Sequence, residues 1–324
     1  MLLLKNKRML VTGGCGFIGS HLVDRLIELN NEVTVVDDLS AGKLEFIEKH
    51  MTNKDFKFIK GDIRDTTIMQ ETCKEKDSVF HFAANPDVRL SVNEPYFDFE
   101  SNVLATFNLL EAMRKNDIGM LIFASSGGTI YGDAEVYPTP ESHILKPIST
   151  YGASKASCEM FISAYSECYD ITGVSLRYAN IYGPRSLHGV MHDFFWKLKE
   201  NPKELEILGD GKQNKSYMYI SDCITATMKI TEYIIDSEKN YDNFNVGVND
   251  QIEVRKIAEI IVDELQLESV KFSYTGGAKG WVGDVHKMLL DTTKLEALGM
   301  KSKIALEQGI RMYIRWLKGR FGWP

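Results

Sequence analysis

Apolar and polar positions along the first 180 residues fall into two alternating patterns. Short runs of apolar and β-branched residues occupy 9–12, 33–36, 56–59, 78–82, 120–124 and 174–178. Between them lie stretches with helical periodicity; in 17–29 the apolar stripe is Ile18, Leu22, Leu26 and Leu29. The first pattern is that of buried strands and the second that of amphipathic helices. Strands alternating with helices of this length predict a parallel sheet covered on both faces.

The rhythm changes after Asn180. Residues 183–221 are mixed and carry Gly-Pro, Asn-Pro and Gly-Asp-Gly turn signals, and helical spacing returns at 253–265, 291–298 and 306–317. The expected organisation is a first domain over 1–180, with a later return near 222–248, and a smaller interwoven C-terminal domain over 181–324. No internal repeat or low-complexity segment interrupts this plan.

Composition narrows the class without changing the picture. The chain has 324 residues, is 44% hydrophobic and 26% charged, and carries a net charge of -7. These values exclude disordered and fibrous classes. No block of like charges stands out, so neither nucleic acid nor a membrane surface is an expected partner. The cysteines (15, 73, 158, 168 and 223) form no metal-ligand spacing and read as reduced thiols, with no metal expected. Leu2-Leu3-Leu4 is too short for a signal segment, and no apolar run approaches the roughly 20 residues of a membrane helix. The expected location is cytoplasmic.

Candidate chemistry begins in the turn after the first strand. Thr12-Gly13-Gly14-Cys15-Gly16-Phe17-Ile18-Gly19 stands between strand and helix and satisfies the spacing of a dinucleotide-binding turn. Glycine there permits the tight turn and lets backbone amides approach a pyrophosphate, which the helix dipole also favours. Asp37 ends the next strand about 20 residues on, where a carboxylate accepts from the adenosine ribose hydroxyls and repels a 2′-phosphate. That choice favours NAD over NADP. A second candidate is Tyr151-Gly152-Ala153-Ser154-Lys155, at the start of a helical stretch. Four-residue spacing puts Tyr151 and Lys155 on one helix face. A free tyrosine, with a pKa of about 10, is a poor base at neutral pH, and a neighbouring ammonium favours its phenolate.

Together these features resemble the extended short-chain dehydrogenases/reductases, and within them the NAD-dependent sugar-nucleotide epimerase/dehydratase group, over nearly the full length. Gly-Gly-x-Gly-Phe-Ile-Gly-Ser-His (13 to 21) is similar to the group's opening signature, and Val36-Asp37-Asp38-Leu39-Ser40 resembles the second strand end of UDP-glucose 4-epimerases. Gly61-Asp62-Ile63-Arg64-Asp65, His81-Phe82-Ala83-Ala84 and Asn102 match cofactor-side segments. Arg177-Tyr178-Ala179-Asn180-Ile181-Tyr182-Gly183-Pro184-Arg185 resembles the motif whose Asn meets the nucleotide sugar. Gly209-Asp210-Gly211-Lys212-Gln213 with Tyr217-x-Tyr-Ile-x-Asp222 is similar to the C-terminal hallmark. Ala-Asn-Pro-x-Val-Arg-Leu-Ser (84 to 91) and Gly-Trp-x-Gly-Asp-Val (280 to 285) resemble archaeal-type UDP-glucose 4-epimerases.

The resemblance implies a Rossmann-type doubly wound α/β fold with a C-terminal substrate domain, a homodimer formed through helices near 99–115 and 151–168, and NAD held throughout the cycle. It implies cofactor contacts from Gly13, Gly16, Phe17, Ile18, Gly19, Asp37, Asp38, Leu39, Ser40, Gly42, Asp62, Ile63, Phe82, Ala83, Ala84, Asn102, Ser125, Tyr151, Lys155 and Tyr178. Asn85, Asn180, Arg185, His188, Lys215 and Asp284 are the implied UDP-sugar contacts, with Lys279 a further basic candidate. The implied reaction is 4-epimerisation of UDP-glucose and UDP-galactose. Tyr151 takes the C4 hydroxyl proton while C4 is oxidised, Lys155 holds the nicotinamide ribose, and the 4-keto sugar turns over before hydride returns. The alternatives in the same fold are another sugar-nucleotide epimerase, for N-acetylhexosamine or uronic acid sugars, and a non-catalytic NAD-binding sensor.

The chain departs from the family pattern at Ser125-Ser126-Gly127-Gly128-Thr129. Gly127 stands where the family usually has a Ser or Thr beside the reacting oxygen, so Ser126, Thr129 or an ordered water is expected to supply that hydrogen bond. The Asp-Glu pair of the related 4,6-dehydratases is replaced by Gly128 and Thr129, which disfavours dehydration. Lys215 replaces the usual diphosphate-binding Arg, a point charge in place of a fork.

Overall fold

A computed structural model describes residues 3–277, 285 and 287–323. In chain order its strands are β1 (Arg8–Thr12), β2 (Glu32–Asp37), β3 (Phe56–Lys60), β4 (Ser78–His81), β5 (Met120–Ser126), β6 (Thr172–Tyr178), β7 (Asn180–Tyr182), β8 (Glu204–Ile207), β9 (Asn214–Tyr219), β10 (Tyr241–Val246), β11 (Gln251–Glu253), β12 (Lys271–Tyr274) and β13 (Lys287–Met288). The helices are α1 (Phe17–Glu28), α2 (Thr66–Cys73), α3 (Val88–Asn93), α4 (Pro95–Asp98), α5 (Ala105–Lys115), α6 (Thr150–Cys168), α7 (Val190–Glu200), α8 (Ile220–Asp236), α9 (Val254–Glu264), α10 (Thr293–Ala297) and α11 (Leu306–Phe321).

Seven strands form one parallel sheet in the order β10-β6-β5-β4-β1-β2-β3. This is the doubly wound dinucleotide-binding arrangement, extended by one strand at the β6 edge. Central strands buried on both faces need apolar residues at every position; Met9, Leu10 and Val11 in β1 and Leu121 and Ile122 in β5 are fully buried. The strand order reverses between β1 and β4, and the crevice at the carboxyl ends of such strands is where ligands bind in these folds. Thr12, Asp37, His81, Ser126 and Tyr178 are the terminal residues of their strands on that side.

The later chain builds smaller pieces over this crevice. β9 runs between β11 and β13, with β7 also paired to it, and β8 pairs with β12. α10 is shorter than the helix expected over 291–298, because Asp291 and Thr292 instead turn the chain into it through bonds to Thr293 and Glu296. α11 runs to Phe321, beyond the expected 317, its last turn packing Trp316 and Phe321. Strands β8 and β9 lie within the mixed stretch over 183–221. Four cysteines are buried and Cys168 is exposed. No helix among the described residues is long and apolar enough to cross a membrane.

Candidate active site

The glycine turn is shaped by backbone crowding. Gly13 has φ +70°, and a Cβ there would lie 2.5 Å from the Ala83 nitrogen. A Cβ on Gly19 would lie 2.2 Å from the Gly13 carbonyl oxygen, where the first turn of α1 packs against β1. No side chain caps α1, and Gly16, Phe17 and Ile18 are half-buried at the crevice. The first amides of a helix have no partner within it, so they can meet an anion there. This backbone-lined cradle fits the pyrophosphate of a dinucleotide.

Asp37 is 7% exposed and accepts from the Cys15 and Leu39 amides, both at 2.9 Å. Burial pushes its carboxyl up against the lowering effect of those amides. Gly42 leaves room beside it, since a Cβ would come 3.0 Å from Asp37 Oδ1. Leu39 at φ +66° turns the loop, and Asp38 accepts from the Ser40 amide and hydroxyl. Asp62 is gripped by Arg64, whose Nη2 lies 2.6 Å away and holds the carboxyl below its usual range. Ile63 is buried beside it.

Four strand ends carry this cradle toward Tyr151. Thr12 Oγ1 meets His81 Nδ1 at 2.7 Å, and His81 Nε2 meets Thr106 Oγ1 at 2.9 Å. Thr106 donates its own proton to the Asn102 carbonyl. His81 is therefore the Nε2–H tautomer, accepting from Thr12. Asn102 Oδ1 accepts from the Asn85 amide and so fixes the loop after Ala83 and Ala84. Phe82 packs against the Tyr178 ring with centroids 6.2 Å apart, and the Tyr178 carbonyl accepts from the Gly127 amide at 2.8 Å.

Tyr151 and Lys155 rise from the first turns of α6. Ser149 caps the helix at the Gly152 amide, and the Tyr151 amide donates to Ser91 Oγ at 3.1 Å. The Lys155 ammonium donates to the Ala124 carbonyl at 3.0 Å and sits 4.8 Å from the Phe123 ring centre. Ser126 Oγ receives the Thr129 hydroxyl at 2.8 Å, and Ser126 acts to lower the buried Tyr151 phenol against the burial that raises it. Gly127 faces the other way: a Cβ would meet Leu290 Cδ1 at 2.5 Å and the Arg177 carbonyl at 2.9 Å.

Burial dominates and raises the Tyr151 phenol, with Asp98 and Cys158 adding to the rise, while the Lys155 ammonium lies 5.8 Å from the Tyr151 ring centre. Ser126 is the group of the chain that lowers the phenol. The Lys155 ammonium is spent on a carbonyl rather than on the phenol oxygen.

Behind the pair lies a buried ionic cluster around Glu159 and Asp98, neither of which any sequence motif marks. Ser125 Oγ donates to Glu159 at 2.5 Å, and Arg177 Nη2 pairs with Glu159 at 2.7 Å. Arg177 also donates to the Tyr131 hydroxyl at 2.8 Å. Fully buried Asp98 accepts from Ser154, Asn85 and Asn102. Nothing local in the sequence told which partners Glu159 and Asp98 would meet.

The residues expected on the sugar-nucleotide side are dispersed. Asn180 Nδ2 donates to the Ser216 carbonyl at 3.2 Å. Arg185, expected toward the diphosphate, instead pairs with Asp24 of α1 at 2.8 Å and lies over Phe46, its backbone at φ +70°. Asp24 also takes His50 and Lys49. His188 is exposed at the start of the loop into α7. Lys215 is half-buried on β9, in register with Met288 of β13. Asp284 and Lys279 lie outside the described residues. Among the described residues no group of three or more His, Cys, Asp and Glu side chains is placed to hold a metal ion.

Comparisons with known proteins agree with this architecture. The profile of the family described as GDP-mannose 4,6 dehydratase matches residues 10–313. The putative UDP-glucose 4-epimerase of Methanocaldococcus jannaschii is 37% identical, over 96% of this chain and 98% of its own. A crystal structure of a UDP-galactose 4-epimerase shares 41% identity and a TM-score of 0.86, covering 96% of this chain and 99% of that one. The Thermus thermophilus UDP-glucose 4-epimerase, in complex with NAD, is 33% identical with a TM-score of 0.83, covering 97% and 99%. The chain thus belongs to the NAD-dependent sugar-nucleotide epimerases and dehydratases of the extended short-chain dehydrogenase/reductase family. Its cofactor is NAD.

Proposed function

We propose that this protein is a UDP-hexose 4-epimerase, an isomerase acting on UDP-glucose and UDP-galactose. The observation that carries the reading is the Thr129–Ser126 hydroxyl pair at the strand end beside the buried Tyr151 phenol, which Ser126 acts to lower. Gly128 and Thr129 offer no carboxyl pair for eliminating water across C5 and C6, and epimerisation needs none. The similarity to two 4-epimerases of known structure supports the same choice.

Bound NAD supplies a reversible hydride acceptor. The chain's own residues handle the proton and the geometry. Tyr151 Oη accepts the C4 hydroxyl proton as C4 becomes a ketone and returns it when the opposite epimer forms. Ser126 and Thr129 orient the C4 oxygen in place of the side chain that Gly127 lacks. Lys155, fixed on Ala124, holds the nicotinamide ribose. Gly13, Gly16, Phe17, Ile18 and Gly19 take the pyrophosphate, and Asp37, Asp38, Leu39, Ser40 and Gly42 the adenosine ribose. Ile63 and Asp62 border the adenine, with Phe82, Ala83, Ala84, Asn102, Ser125 and Tyr178 along the nicotinamide side. Asn85, Asn180, His188, Lys215 and Asp284 serve the UDP-sugar, in a unit over 181–324; residues 1–180 with the return near 222–248 form the NAD unit. Arg185 supports that unit through Asp24.

The homodimer is proposed on exposed apolar side chains of residues 99–115 and of α6, among them Phe99 (49% exposed) and Met160 (55%). Conversion of UDP-galactose to UDP-glucose by NAD-loaded protein, followed by proton NMR without added reductant, tests the function. A 4-keto-6-deoxy product would make it a dehydratase instead. No conversion across UDP, GDP and dTDP sugars would end the enzyme reading.

A further inference from the structure

Asp98 ends α4 and is fully buried against α6. Asn85 Nδ2 and Asn102 Nδ2 donate to its Oδ1 at 3.1 and 3.0 Å, and Ser154 meets its Oδ2. All three partners are neutral, and no ion pair reaches it among the described residues. A buried carboxylate held only by dipoles still needs a cation nearby to offset its desolvation. Ser154 is the residue directly before Lys155, whose ammonium is buried with a single carbonyl partner.

The other groups around Lys155 are already compensated or neutral. Glu159 of α6 is neutralised by Arg177. Cys158 of α6 stays a thiol, its titration pushed up by burial. His81 of β4 is neutral, held between two threonine hydroxyls. Tyr151 is a phenol whose ionisation burial opposes, and β5 contributes only the Ala124 carbonyl and the Phe123 ring. Asp98 is thus the one carboxylate in this cluster without an ion pair among the described residues, bonded to the residue directly before Lys155. We infer that Asp98 is the buried counter-charge of Lys155 and, through that charge, a positioning residue that sets when Tyr151 gives up its proton. The inference rests on the epimerase reading for its catalytic meaning but not for its electrostatics. Its direction agrees with the Coulomb effect of Asp98, which raises both Lys155 and Tyr151.

The cluster permits a clean removal of the charge. Ser154 Oγ lies within reach of Asp98 Oδ2 and of the Thr150 carbonyl at 2.9 Å. In Asp98→Asn the new amide donates to Ser154 Oγ, Ser154 donates to Thr150, and Oδ1 keeps both asparagine amides. Every hydrogen bond survives and only the charge is lost. The experiment titrates Tyr151 by phenolate absorbance in NAD-loaded protein, with the Tyr151→Phe trace subtracted to isolate one of the 14 tyrosines.

In Asp98→Asn the midpoint is expected to fall by about one pH unit, a tenfold gain in phenolate on the acid side. Both limbs of the turnover profile move down with it. Ser154→Ala, which keeps the charge and breaks the bond, is expected to leave the midpoint in place. Asp98→Ser, smaller and still a hydrogen-bonding partner for the two amides, makes the same charge test should Asp98→Asn not fold. An unmoved midpoint in the charge-removing variant, or an equal move in Ser154→Ala, overturns the inference. The titration uses no sugar nucleotide, so wild-type protein that converts no sugar would sink the epimerase reading and leave this test standing.

Discussion

The two ends of the crevice are built by opposite means. At the NAD end, the cradle is backbone against backbone: Gly13 under Ala83, Gly19 against Gly13, all within one turn and one neighbouring strand. At the Tyr151 end, the working groups come from β5, α4 and α6 and meet through side chains. A backbone site tolerates no added atom but needs no particular side chain; a side-chain site has the reverse sensitivity. The two ends are therefore expected to fail differently.

The sharpest break is Tyr151→Phe, which removes the proton-handling oxygen and leaves the ring. Turnover is expected to fall by about 10²–10⁴, with NAD content of the purified protein unchanged. Loss of NAD in that variant would show that the two ends are not separate. Next comes Gly19→Ala, where the new methyl meets a carbonyl oxygen at 2.2 Å. It is expected to cost about 1–3 kcal/mol of stability and most of the NAD binding, read by denaturant unfolding and by the absorbance of retained NAD.

Acid sharpens the link between the ends. Burial lowers His81 to about 3, and lowers His21, beside Pro184, to about 4. Both folded values lie below the unfolded value of about 6.5. Their neutral forms contribute fully above that unfolded value, and the contribution is lost as pH falls toward the folded values. Stability is expected to drop by about 1.4 kcal/mol per pH unit for each histidine below pH about 6. Urea unfolding of wild type and His21→Gln at several pH values checks it: the variant's slope should be shallower by one proton.

The smallest effects probe the substituted hydrogen bond. Ser126→Ala is expected to lower kcat about tenfold and Thr129→Ala a few-fold, each consistent with one lost hydrogen bond. Steady-state kinetics on UDP-galactose reads both. Unchanged turnover in the pair of variants would remove side-chain hydroxyls from the role that Gly127 cannot fill.

What could be read before the structure divides along the same line. The sheet, α1, and the α6 placement of Tyr151 and Lys155 were legible, because period and spacing are local properties. The glycine turn was legible for the same reason, since its geometry is set by nine consecutive residues and one strand end. Asp98, Glu159 and Ser91 were not, because each acts on a residue 56, 18 or 60 positions away in sequence. The motif around Arg185 says nothing of Asp24, which sits on another element and pairs with the guanidinium. Long-range pairing of charge is the part of a site that composition and period do not encode.

β10 gives the fold a consequence in time. It lies at the edge of the main sheet beside β6, with Phe244 and Val246 fully buried, yet the chain emerges from β6 at Tyr178 and reaches β10 only at Tyr241. At synthesis rates of about 5–20 residues per second, several seconds separate the two. During that interval the outer edge of β6 carries unpaired amides and carbonyls on a strand already apolar enough to be buried. Such an edge is a template for any strand that arrives first. A nascent chain halted short of Tyr241 therefore presents an aggregation surface that the finished protein hides behind its own late-made strand.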